Sequence, residues 1–142
     1  KYPKSGLLFK IYILLGKSYQ CDKKYQEARD TLKQIFIIGS KLDQMKANLL
    51  IAKIYKEEGN QKEAMSSYFS IVMFGEPTKD PDQIPVIQEA MEEVIPLGQE
   101  VKEWTKLKML VDAWLGYFPK DEKVDEMRKL QRDLNLKAAT EE

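Results

Sequence analysis

The carboxylates with the strongest chemical potential in this 142-residue chain are Glu89, Glu92 and Glu93. They fall within about one helical turn. Carboxylates so placed can share a proton for acid–base work or hold a hard divalent cation. Helical carboxylate clusters usually face solvent, however, and no further ligands stand beside these three. Cys21 is the single cysteine, so an internal disulfide is excluded. A reactive thiol needs a depressed pKa. Lys23 and Lys24 lie close in sequence, but an incidental thiol is the expectation. The chain has no histidine, which excludes a Ser-His-Asp triad, a Cys-His dyad, a His-ligated zinc site and a haem with a proximal histidine. The seven glycines are scattered and form no phosphate-cradling loop. Trp104, Trp114, Tyr117 and Phe118 could stack a base, but packing is the simpler use. What is left is basic. Lys10 and Lys17 are seven residues apart, almost two turns, and share a helix face. Lys46 and Lys53 repeat that spacing.

Charge sharpens this picture. The chain carries 23 Lys+Arg and 23 Asp+Glu, a formal net charge of zero. That balance argues against a nucleic-acid binder. The cancellation hides a division: residues 1–70 hold 13 basic and 7 acidic side chains, whereas residues 71–142 hold 10 and 16. The halves are therefore +6 and −6, an expected dipole along an elongated molecule. No stretch approaches the 18 or so apolar residues of a membrane span, and no signal peptide is evident, so a cytoplasmic or periplasmic location fits equally.

The elements that must position these residues are helices. Leu7, Leu8, Ile11, Tyr12, Leu15 and Tyr19 recur at three- and four-residue steps and predict one apolar face on a first helix. Tyr25, Ala28, Leu32, Ile35 and Phe36 predict a second helix, ended by Gly39-Ser40. Met45, Leu49, Ala52, Ile54 and Tyr55 mark a third, stopped by Gly59-Asn60. Ala64, Met65, Tyr68, Ile71 and Val72 mark a fourth. After a loop with Pro77 and Pro81, Asp82 is the expected cap of a fifth helix, with Pro85 in its first turn. Pro96 should kink or end that helix. A sixth is expected from about Val101 to Tyr117. A seventh follows Asp121 with Val124, Met127, Leu130 and Leu134 as its stripe, and residues 137–142 should fray. No segment shows β alternation.

The helices repeat. Leu15-Gly16-x-x-Tyr19 aligns with Ile51-Ala52-x-x-Tyr55 at an offset of 36, and Ala28-x-x-x-Leu32 aligns with Ala64-x-x-x-Tyr68 at the same offset. A third pair aligns at an offset of 43, which sets Leu107 against Ala64 and Gly98 against Tyr55. Tyr12, Leu15, Gly16, Tyr19, Ala28 and Leu32, then Ile51, Ala52, Tyr55, Ala64 and Tyr68, resemble the tetratricopeptide repeat family. The resemblance implies an all-α, right-handed solenoid of antiparallel helix pairs. Its repeats would span about 9–42, 45–78 and 82–119, with a capping helix at about 121–136. In that pattern Gly98 and Pro96 are departures. Tyr2-Pro3 resembles the closing turn of a preceding repeat, which predicts further repeats upstream. Such aromatic-Pro endings are similar to those of bacterial outer-membrane assembly lipoproteins.

The family generally binds peptides or partner helices on its concave face. The resemblance places Lys10, Ile13, Lys17 and Gln20 in that groove from the first repeat. The second repeat adds Lys46, Leu49, Lys53 and Lys56, and the third adds Glu89, Glu92, Glu93 and Gln99. The implied function is a non-catalytic scaffold that binds a protein or peptide, with no cofactor or metal, and the charge balance leaves no place for nucleic acid. The four lysines either attract an acidic segment or are a solvated face that keeps the array soluble. The alternative is an assembly spacer that self-associates as a homo-oligomer or stacks on further repeats. The clamp that some family members use for a C-terminal carboxylate needs Lys at Ile13, Asn at Lys17 and basic residues at Glu89 and Glu93. None of these matches.

Overall fold

The computed structural model describes residues 3–140, with side chains from residue 6 onward. Every regular element among them is helical: α1 (Pro3–Cys21), α2 (Tyr25–Lys33), α3 (Ile35–Ile38), α4 (Lys41–Glu57), α5 (Gln61–Met73), α6 (Ile84–Glu100), α7 (Trp104–Tyr117) and α8 (Val124–Thr140), with a 3₁₀ turn at Pro81–Gln83. Backbone contacts group the chain into two units, Lys1–Ile71 and Val72–Glu142. Because Ile71 is uncharged, the +6 and −6 halves of the sequence coincide with these units. Tyr2, on which the upstream-repeat expectation partly rests, lies outside the described residues, as do Glu141 and Glu142.

One backbone device recurs three times. Lys23, Gly59 and Lys102 have left-handed φ values of 60°, 90° and 58°. The residue after each donates its N–H five positions back: Lys24 to Tyr19 O at 2.8 Å, Asn60 to Tyr55 O at 2.8 Å, and Glu103 to Gly98 O at 2.9 Å. The left-handed residue itself donates three positions back, to the carbonyls of Gln20, Lys56 and Gln99. This is the Schellman ending, which satisfies the last carbonyls of a helix and turns the chain sharply. It joins α1 to α2, α4 to α5 and α6 to α7. The spacings 23, 59 and 102 are the 36 and 43 of the sequence alignment.

In the first unit, α2 packs against both α1 and α4. Ala28, Leu32, Ile35, Ala47, Ile51 and Ile54 form the buried cluster, and Tyr12, Tyr19 and Tyr55 close over it. Gly16 explains the close approach of α1 and α2. A Cβ there would stand 2.8 Å from Cγ and Cδ2 of Leu32. The expected single apolar face of α1 divides in the structure. Tyr12 and Tyr19 are half-buried, whereas Leu7, Leu8, Ile11 and Leu15 are exposed, as is Leu14. Apolar side chains occupy most of the circumference of this helix, so periodicity alone could not select the packed face.

In the second unit, α6 packs on α7 and α7 on α8. Ile87, Val94, Leu107, Leu110, Val111 and Trp114 are fully or nearly fully buried, with Met127 and Leu134 from the stripe of α8. Gly98 stands where Tyr19 and Tyr55 stand in the earlier hairpins, and Leu107 stands where they have Ala28 and Ala64. A Cβ on Gly98 would lie 2.5 Å from Leu107 Cδ2 and 2.6 Å from Cγ. Bulk has thus moved from the first helix of the pair to the second, and the pair still closes.

Several sequence expectations shift. The second helix divides at Gln34 into α2 and the short α3. The run Ile35-Phe36-Ile37-Ile38 stays helical as α3, and Gln34 between the two helices keeps right-handed helical φ and ψ of −59° and −28°. Ser40 does more than follow a helix stop. Its Oγ accepts from Asp43 N–H at 3.2 Å while Asp43 Oδ2 accepts from Ser40 N–H at 3.3 Å, a capping box that starts α4. Asp80, not Asp82, supplies the side-chain cap before α6, accepting from Asp82 N–H at 3.1 Å. That cap serves the 3₁₀ turn, and α6 begins only at Ile84. The helix then continues through Pro96 to Glu100, and α7 begins at Trp104 rather than Val101. Asp121 accepts from Lys123 N–H at 2.9 Å just before α8, which extends to Thr140 instead of fraying at 137.

Candidate binding clefts

The lysines expected to share one face of the first unit lie on α1 and α4. Lys10, Lys17, Lys46 and Lys56 are exposed, and Lys53 is half-buried. Ile13 and Gln20 are half-buried, while Leu49 is buried at 7% exposure and lies beneath the surface. Lys17 and Gln20 do meet in one cleft of about 640 Å³ at the C-terminal end of α1. Lys23, carried there by the left-handed turn, lines it too, with Cys21, Tyr25 and Glu57. Two lysines and a glutamine therefore share this opening with one glutamate. Desolvation, then the charge of Glu57 and a hydrogen bond to it, hold the Tyr25 phenol above its ordinary pKa. Cys21 is an exposed free thiol on the wall.

Arg29 braces this unit, and sequence reasoning gave it no part. It is 6% exposed on α2, ion-paired with Glu58, and its Nη2 donates to Gln26 Oε1 at 3.0 Å. The guanidinium also lies over the Tyr55 ring, 4.4 Å from its centroid. A planar cation can make the ion pair, the hydrogen bond and the stacking contact at once. The signal in the sequence was faint: an arginine beside Ala28, on the packed side of an otherwise polar helix.

The second unit holds a different cleft, of about 320 Å³. Its floor is Met91, Trp114 and Met127, all at least nine-tenths buried. Ile95 and Pro96 make an apolar wall on α6. Gln88, Glu92, Lys123 and Glu126 make the rim. Trp114 Nε1–H donates to Gln88 Oε1 at 2.9 Å, which fixes the amide over the indole. Lys123 Nζ sits 3.9 Å from Glu92 Oε1 in an exposed pair. Among the groove residues expected from the third repeat, Glu92 reaches this cleft. Glu89 and Glu93 are half-buried and Gln99 is exposed, and none of these three lines it. Among the described residues, no group of three or more Cys, Asp or Glu side chains is arranged to hold a metal ion. No helix among them is long and apolar enough to cross a membrane.

Compared with known proteins, the chain matches no family model, no curated protein and no solved structure.

Proposed function

We propose that the chain is a non-catalytic scaffold of the tetratricopeptide kind, a right-handed solenoid of helix pairs that binds a protein segment on the face formed by its first helices. The observation that carries this reading is the cleft where Lys17, Gln20 and Lys23 converge at the end of α1. An acidic segment suits it, because two cations outnumber one carboxylate there and the surrounding unit is +6. The recurrent Schellman hairpins at spacings of 36 and 43 support a repeat architecture. The reading assigns no catalytic residue, metal or cofactor. A fluorescein-labelled peptide of alternating Asp and Gly residues, followed by anisotropy, tests it. Lys17→Glu combined with Lys53→Glu should weaken binding at least tenfold, and raised salt should weaken it in the parent. Unchanged affinity in the double variant removes the lysine face as the site.

A second reading, as an assembly spacer, is favoured by the uncovered apolar side of α1, where Leu7 and Leu14 are 62% and 66% exposed. Sedimentation at several concentrations separates the two. A monomer with a saturable ligand supports the scaffold. An oligomer that Leu14→Glu dissolves supports the spacer.

A further inference from the structure

We propose that the cleft of the second unit takes an extended segment in which a bulky apolar side chain is flanked by Lys or Arg. This inference rests on the scaffold reading, and it assigns the second unit a ligand chemistry opposite to that of the lysine face. Three features of the cleft converge on it.

The first is shape and lining. About 320 Å³ is at the small end of ligand pockets, which run from roughly 300 to 1,000 Å³. It suits a large side chain better than a cofactor. Two methionines and an indole make the floor, and thioethers adapt to aliphatic or aromatic shapes.

The second is main-chain recognition. Pro96 lies inside α6 and has no N–H, so the carbonyl of Glu92 lacks its helical donor. Both residues line the cleft. One turn earlier, Gln88 spends its Oε1 on Trp114, which leaves its amide N–H groups as donors. A carbonyl that has lost its i+4 donor and an amide that keeps its N–H groups are thus four residues apart on the helix that walls the apolar floor. An extended peptide offers a matching N–H and C=O on either side of a buried side chain.

The third is charge. Glu92 and Glu126 outnumber Lys123 on the rim. The unit around them carries 10 basic against 16 acidic residues. Cationic neighbours in the ligand are favoured and acidic ones repelled.

The test uses the full chain and two ten-residue peptides. Each has one central phenylalanine in a Gly/Ser background, flanked in one by two lysines and in the other by two glutamates. The readout is the indole N–H resonance of Trp114, with that of Trp104 as the internal reference. The lysine peptide should shift the Trp114 resonance saturably and bind at least fivefold more tightly than the glutamate peptide. Pro96→Ala restores a helical donor to the Glu92 carbonyl and removes a helix-breaking residue, so it should fold at least as well yet bind at least threefold more weakly. Glu126→Gln should also weaken the lysine peptide. Equal affinity for the two peptides overturns the inference, as does undiminished binding by Pro96→Ala. If only an acidic peptide binds, and does so at Lys17, the scaffold reading stands and this inference falls. If neither class of peptide binds, both fall.

Discussion

Replacing Gly98 with alanine tests the packing of the third hairpin directly. Carbon atoms in good contact lie about 3.5–4.0 Å apart. The added methyl would sit 2.5 Å from Leu107 Cδ2, 2.6 Å from Cγ and 3.0 Å from Cδ1. The whole isobutyl group is in the way, not just its tip, and Leu107 is fully buried, so it has no solvent to swing into. Overpacking of this kind costs about 1–3 kcal/mol, and two overlaps of about an ångström place this case in the upper half of that range. Alanine returns roughly 0.8–1 kcal/mol through helix propensity. The expected net loss is about 1–2 kcal/mol. Gly116 is the control. A Cβ there meets nothing within 4 Å, so Gly116→Ala should gain up to about 1 kcal/mol. Urea unfolding followed by tryptophan fluorescence suits the purpose, because Trp104 and Trp114, the chain's two tryptophans, both belong to the second unit. Leu107→Ala alone should lose about 2–5 kcal/mol. The Gly98→Ala/Leu107→Ala double variant should lose less than the sum of the singles by at least about 1 kcal/mol, since the small residue removes the clash. Should Gly98→Ala match or exceed the parent in stability, or the double-mutant coupling vanish, the argument for a size exchange between Gly98 and Leu107 fails.

Three further outcomes follow from the same structure. Arg29→Met should cost about 2 kcal/mol in chemical denaturation, less than a fully buried pair would lose because the Glu58 side chain is 30% exposed; Arg29→Lys should recover only part, as lysine cannot stack and fork at once. Tyr117 Oη–H donates to Val72 O at 2.7 Å, with Gly75 O at 3.2 Å, and burial, then the charge of Glu76, raise its pKa above 10.0. Folding thus favours the protonated phenol, so its contribution is full below pH 10 and is lost as pH rises through the raised folded value. Tyr117→Phe should lower stability at pH 7 by about 0.5–1.5 kcal/mol, and the gap to the parent should narrow above pH 10 in pH-dependent melts. Lys102→Gly should raise the melting temperature, because the left-handed φ of 58° strains a lysine and suits glycine, a gain of about 0.5–1 kcal/mol.

Much of the helical scheme was legible because it depends on local rules. Ala28, Ala64 and the two tyrosines at Tyr19 and Tyr55 gave the 36-residue register, and the structure places a left-handed residue at the same interval. What sequence reasoning missed depends on partners distant in the chain. Gly98 departs from the repeat pattern in sequence, and only the fold sets Leu107 against it. The stripe of α1 could not be assigned a packed side, since leucines and isoleucines fall on nearly all sides of that helix. Asp80 and Asp82 are equal candidates for a cap by residue type, and only backbone geometry distinguishes them. The lysines at Lys10, Lys17, Lys46 and Lys53 were found by spacing, but that spacing did not show that Lys23 would turn back to join Lys17. The second cleft had one visible mark, a proline inside a helix. A proline there suggests a kink or an ending, and it also withholds the N–H that the Glu92 carbonyl would take.

The exchange of bulk between Gly98 and Leu107 limits how such a chain can be recombined. Shuffling first helices between hairpins would set a tyrosine against a leucine in one product and a glycine against an alanine in the other. The first has no room for both side chains, and the second leaves a hole. The first two hairpins share a tyrosine and an alanine at these positions but cannot trade halves freely either, because Ala52 stands where α1 has Gly16 and a Cβ there would lie 2.8 Å from Leu32 of α2. The third can be copied only whole. In a lineage that grows by duplication, the joint between α6 and α7 should therefore be inherited as a single block.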